Sequence, residues 1–200
     1  VRIGLSLTYT IILGLTTAIG TILPLFITGS PLKEQTLILL VLGLLFVISG
    51  IILSGYSGIL RDKKQSAHTK GITLGLILAF TSGIFSPMLN VAFTIGRPIA
   101  LVAQNYGSLP IYSTALVWVI VLFAGFLVNI SYVVYLLFKN NSVELFKKIN
   151  SKILFAAIMS GVFWFGSFAL FGIASVKIGN LGTSIGWAIL ISLSIVVSNI

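Results

Sequence analysis

The stretch LILLVLGLLFVISGIILSGYSGIL, residues 37–60, carries no charged side chain. A helix rises about 1.5 Å per residue, so about 20 apolar residues cross a hydrocarbon core about 30 Å thick. This run is long enough to do so. A strand reading fails on two counts: strands are much shorter than this run, and barrel strands alternate apolar with polar residues, which this run does not.

Five more runs meet the same test: 4–28, 71–95 with a continuation at 99–103, 109–138, 153–176, and 181–200. Polar or helix-breaking segments separate them. Gly29-Ser30-Pro31 precedes Lys33-Glu34; Arg61-Asp62-Lys63-Lys64-Gln65-Ser66-Ala67-His68-Thr69-Lys70 forms a charged loop; Gly96-Arg97-Pro98 interrupts the third run; and Lys177 with Gly179 marks a tight turn. The pattern predicts an all-α, polytopic transmembrane helix bundle with six spans, one membrane domain over residues 1–200.

Composition agrees. The chain is 58% hydrophobic and 8% charged, with a mean hydropathy of +1.17. Soluble domains carry about 25% charged residues, so the solvent expected here is a lipid bilayer. The formal net charge of +9 does not point to nucleic acid, because the basic residues sit in clusters between apolar runs instead of lining one face with aromatics. With no cysteine and a single histidine, His68, thiol chemistry, disulfides and histidine metal clusters are excluded, and no cofactor is expected.

Lys and Arg favour the cytoplasmic side. The 61–70 loop holds Arg61, Lys63, Lys64 and Lys70, and the loop after 138 holds Lys139, Lys147, Lys148 and Lys152. Two spans lie between these loops, so both can be cytoplasmic, with Arg2 on the same side. The predicted location is a multi-pass protein of the cytoplasmic (inner) cell membrane. The chain starts at Val1 and ends within an apolar run, as expected of a piece cut from a longer protein.

Val1-Arg2-Ile3-Gly4 opens the first run and Val176-Lys177-Ile178-Gly179 opens the last. The two runs stand five spans apart, so as copies they would point opposite ways across the membrane. Inverted repeats of this kind recur in secondary transporters; chance similarity among apolar sequences is the other reading.

Glu34, Asp62 and Glu144 all fall in loops, which leaves Arg97 as the ionisable candidate near a span. It either snorkels to the interface or binds and gates. The uncharged polar residues say more, because a neutral sugar is held by hydrogen-bonding groups and flat aromatic faces. Asn90 and Asn129 are the sharpest of them, as sugar ligands or as glue between helices. Tyr112 and Trp164 could stack on a sugar ring; Trp164 and Trp187 could equally pack or sit at the lipid interface. Pro87 and Pro98 should interrupt their helix, and Gly75, Gly83, Gly125, Gly161 and Gly166 suit close helix contacts.

The segment from Lys70-Gly71 through Ser82-Gly83-Ile84-Phe85-Ser86 to Met88-Leu89-Asn90, followed by Arg97-Pro98, Pro110-Ile111-Tyr112 and the pair Val128-Asn129, resembles the L-rhamnose–proton symporter family, as does 161–168. The resemblance runs from about residue 3 to 187 and is strongest over 70–129. It implies membership of the drug/metabolite transporter superfamily, with ten spans in two inverted five-span halves. Residues 1–60 would then end the first half, 61–70 would be the central basic loop, and 71–200 would be most of the second half. It also implies secondary active transport of a monosaccharide, L-rhamnose or a similar sugar, by proton symport. Asn90 and Asn129 would bond hydroxyls, Tyr112 and Trp164 would stack, and Arg97 would bind or gate at the outer mouth.

Near the start of the last span, where the family carries an acidic residue, this chain has Gly182-Thr183-Ser184. Another cargo of the same superfamily is the alternative reading. A membrane enzyme would need His, Asp or Glu in the spans, and a channel would need repeated filter elements; neither pattern occurs.

Overall fold

A computed structural model describes residues 5–29, 33–62, 72–147 and 149–198. Among them the elements are α1 (Leu5–Thr28), α2 (Glu34–Asp62), α3 (Ile72–Phe85), α4 (Met88–Ile95), α5 (Arg97–Asn105), α6 (Pro110–Lys139), α7 (Val143–Lys147), α8 (Ser151–Ile178) and α9 (Gly182–Ser198). The described residues hold helices and no strand. Five apolar stretches are long enough to cross a membrane: Leu7–Thr28, Glu34–Ser57, Thr73–Asn105, Pro110–Lys139 and Ser151–Ile178. The sixth expected span, Gly182–Val197, is shorter but equally apolar. The protein is a multi-pass α-helical membrane protein.

Helix ends follow local chemistry. Pro110 stands in the first turn of α6, where its missing N–H is no loss. Gly179 takes φ +85° after α8, a conformation open to glycine, and its carbonyl accepts from Gly182 N to start α9. Glu34 sits in the first turn of α2, where the positive end of the helix dipole favours it. Pro87 breaks the third run as expected: α3 ends at Phe85 and α4 begins at Met88. Pro98 does something milder. It lies in the first turn of α5, and the interruption is at Gly96.

The chain forms two compact units, residues 1–95 with 177–200, and residues 96–176. In the first, α1 is the hub, packed against α2, α3, α4 and α9. Small residues allow the approach. A Cβ on Gly83 would stand 2.8 Å from Leu15 Cδ1, and a Cβ on Gly55 would collide with Thr10. In lipid, where apolar burial gives little drive, such contact surfaces supply the packing energy. Gly83 was expected in this role; Gly125, Gly161 and Gly166 instead face open space.

In the second unit, α6 buries Ser113, Thr114, Val117 and Trp118, and α8 buries Phe168, Phe171, Gly172 and Ser175. Both sets follow helical i, i+3, i+4 spacing. Trp118, 0% exposed, is the centre: its ring centroid lies 4.9 Å from Phe168 and 6.0 Å from Phe171. A Cβ on Gly172 would come within 2.7 Å of Thr114 Oγ1. Gln104 Nε2 donates to Ser113 Oγ at 3.1 Å, tying α5 to α6.

Candidate functional site

The polar centre of the first unit is a stripe on α1. Thr16, Thr17, Gly20, Thr21 and Pro24 recur at i, i+4 spacing, so they share one face. Thr16, Thr17 and Thr21 are buried, and Pro24 is fully buried. Three carbonyls on this face accept side-chain donors from α4 and α9. Trp187 Nε1 donates to Thr16 O at 3.0 Å, Asn90 Nδ2 to Gly20 O at 2.8 Å, and Ser184 Oγ to Thr21 O. The partners of 16 and 21 are 187 and 184, so α1 and α9 run antiparallel.

Asn90 is 0% exposed. Its amide also donates to Thr183 O at 2.9 Å, which joins α4 to both α1 and α9. Both amide hydrogens therefore go to main-chain carbonyls. The Oδ1 atom has no hydrogen-bond partner, and neither do the buried hydroxyls of Thr16 and Thr21. Thr94 Oγ1 donates to Asn90 O at 2.8 Å and anchors the residue's own backbone.

The other four expected site residues lie in the second unit. Arg97 opens α5 and is exposed, and Tyr112, 57% exposed, stands in the first turn of α6. Asn129 is exposed, and its Nδ2 donates to Gly125 O at 3.0 Å on its own helix. Trp164, 54% exposed, stands edge-on to Phe168 with centroids 4.8 Å apart. Tyr112 and Asn129 share α6 but are 17 positions apart, about 25 Å along the axis at the helical rise. They stand at two levels and do not line one pocket. Asn129 lies about 15 Å, at the same rise, from the Lys139 end of α6, near the middle of a 30 Å core. An exposed amide at that depth needs a polar partner or a wet cavity beyond its own helix.

The described residues offer no group of His, Cys, Asp or Glu that could hold a metal. Glu34 and Asp62 stand at the two ends of α2 and Glu144 lies in α7, so no described carboxylate sits within the body of a span. His68, Lys63, Lys64, Lys70, Lys148 and Arg2 lie outside the described residues. Sequence reasoning singled out Asn90 but missed its partners on α1. The threonine–glycine–proline spacing of 16–24 was the available signal, and Thr183, Ser184 and Trp187 were noted without being linked to it.

The chain matches the family model of the L-rhamnose-proton symport protein over residues 1–200. It is 28% identical to the L-rhamnose-proton symporter of Pectobacterium atrosepticum over 200 residues, covering 92% of this chain and 57% of that protein. It is 27% identical to the L-rhamnose-proton symporter of Yersinia pestis over 201 residues, with the same coverage. The chain thus spans a little over half the length of these relatives. No solved structure matches it.

Proposed function

From the premise that this chain belongs to the L-rhamnose-proton symport family, we propose that it is the greater part of a secondary active transporter that carries a monosaccharide, L-rhamnose or a close analogue, across the cytoplasmic membrane with a proton. The observation that carries this reading is the family match over residues 1–200. The chemistry of the spans supports it. The polar groups in the bodies of the described spans are amides, hydroxyls and aromatic rings, with Arg97 the one charged side chain and no carboxylate. That set suits a neutral, hydroxyl-rich cargo and poorly suits a charged one, which would need a charged partner.

In this reading the ten-span plan holds: residues 1–60 end the first inverted half, 61–70 are the central loop, and 71–200 are most of the second half. Arg97, at the start of α5, and Tyr112, in the first turn of α6, meet the sugar toward the outer mouth. Asn129 and Trp164 meet it deeper in the bilayer, through an amide bond to a hydroxyl and a ring face against the pyranose. The two levels on α6 are then successive stations of a path.

The coupling proton requires a titratable group within the membrane. Because the bodies of the described spans hold no Asp, Glu or His, the reading assigns that group to the part of the relatives' length that this chain does not cover. The experiment is uptake of a radiolabelled sugar panel by proteoliposomes containing the full-length parent, with and without an imposed proton gradient. Gradient-driven uptake of L-rhamnose is expected. Transport of a non-sugar metabolite with no sugar uptake would replace the cargo.

A further inference from the structure

The position of Asn90 has a backbone cause. In a helix the carbonyl of residue i accepts from the N–H of residue i+4, and proline has no N–H to give. Pro24 lies inside α1, so Gly20 O, four residues earlier, loses its helical donor. That carbonyl is the one reached by Asn90 Nδ2 at 2.8 Å. In hydrocarbon an unpaired carbonyl is costly, and proline within a span is tolerated where a neighbour supplies the missing bond. Here the neighbour is a side chain on another helix. Its second hydrogen goes to Thr183 O at 2.9 Å, on a third helix.

The surroundings hold this arrangement in register. Gly20 must be glycine, because a Cβ there would collide with the Trp187 indole. Trp187 and Ser184 bind the carbonyls on either side, at Thr16 and Thr21. The break in the α1 ladder is therefore bridged by one amide, while the flanking turns are fixed to α9.

We propose that Asn90 is a positioning residue for transport: its amide stands in for the N–H that Pro24 lacks, and α1 bends at Gly20–Pro24 when that amide lets go. A helix with a complete ladder resists bending, whereas this one has a weak point closed by a single releasable group. The role in transport rests on the reading above; the bridging of the break does not.

Pro24→Ala restores an N–H to α1, so it makes the bond from Asn90 to Gly20 O redundant. The test is the double-mutant cycle of Pro24→Ala and Asn90→Ala in the full-length parent, read by melting temperature in detergent and by kcat and KM for L-rhamnose uptake. Asn90→Leu, of similar volume, serves if the alanine variant folds poorly. With Pro24 present, Asn90→Ala is expected to lower the melting temperature, the cost of an orphaned buried carbonyl, and to reduce kcat about tenfold. In the Pro24→Ala background, the same substitution should cost less stability, because only the bond to Thr183 O and the buried packing are then lost. Pro24→Ala alone should raise the melting temperature yet lower kcat with KM held, because the hinge is stiffened.

Equal losses from Asn90→Ala in both backgrounds would overturn the bridge. A Pro24→Ala protein with unchanged kcat would overturn the hinge. If the parent takes up no sugar, the functional reading fails on its own, and the melting temperatures alone decide the bridge.

Discussion

Trp187 on α9 donates its indole N–H to Thr16 O on α1 across 3.0 Å, and one turn further along α1 the same indole leaves no room for a side chain on Gly20. The indole is 2% exposed. The tryptophan is thus an interhelical clasp, not a residue of the lipid interface, and it fixes how closely two antiparallel helices approach.

Gly20→Val should therefore separate α1 from α9. Overpacking a tight junction costs about 1–3 kcal/mol, so a lower melting temperature in detergent and a reduced yield of folded protein are expected. Gly125→Val, at a position that faces open space, is the control and should leave both unchanged.

In the second unit the comparable junction is Gly172 under Thr114 and Trp118. Trp118→Ala removes the fully buried ring that meets Phe168 and Phe171, a loss of about 3–5 kcal/mol by the usual cost of deleting a core aromatic. Proteolysis of the purified protein should show α6 and α8 becoming cleavable together. Protection equal to that of the parent would contradict the packing described.

Among the described residues of its unit, the Asn129 amide is hydrogen-bonded to Gly125 O on its own helix and to no other helix. Asn129→Ala should accordingly leave the melting temperature nearly unchanged, within about 0.5 kcal/mol of stability. It should lower sugar uptake by at least about tenfold, the equivalent of one lost hydrogen bond to substrate. Uptake at the parental rate, with normal expression, would remove Asn129 from the path.

The absence of cysteine from the chain makes its topology directly measurable. With cysteines elsewhere in the parent replaced, Ser66→Cys should be labelled by an impermeant maleimide only from the cytoplasmic side. Ser108→Cys, between α5 and α6, should be labelled only from outside. Labelling of both from one side would break the orientation drawn from the lysine-rich loops.

Much of this fold could be read from apolar run length. The runs at 37–60, 109–138 and 153–176 became α2, α6 and α8, and Pro87 ended α3 where its missing N–H required. The junctions were harder to read. Composition does not reveal which glycine meets a neighbour: Gly83 does so while Gly161 does not, because that depends on which face a distant helix covers. Asn90 stood out as an amide in an apolar run, yet its partner could not be guessed without Pro24, since the orphaned carbonyl lies 70 positions away in sequence. Thr16, Thr17 and Thr21 carry no signal as single residues of an apolar run; their meaning lies in a shared face that meets α9. Tyr112 and Asn129 are both expected sugar contacts, and the helix joining them shows that they stand at different depths.

As proposed, the parent protein couples the uptake of a sugar to that of a proton. The direct measurement is L-rhamnose accumulation in proteoliposomes of the full-length protein under an imposed pH gradient, repeated after the gradient is collapsed with a protonophore. Accumulation above the external concentration, lost on collapse, is the predicted result. Equal uptake with and without the gradient, or no uptake of any sugar in the panel, would contradict the account.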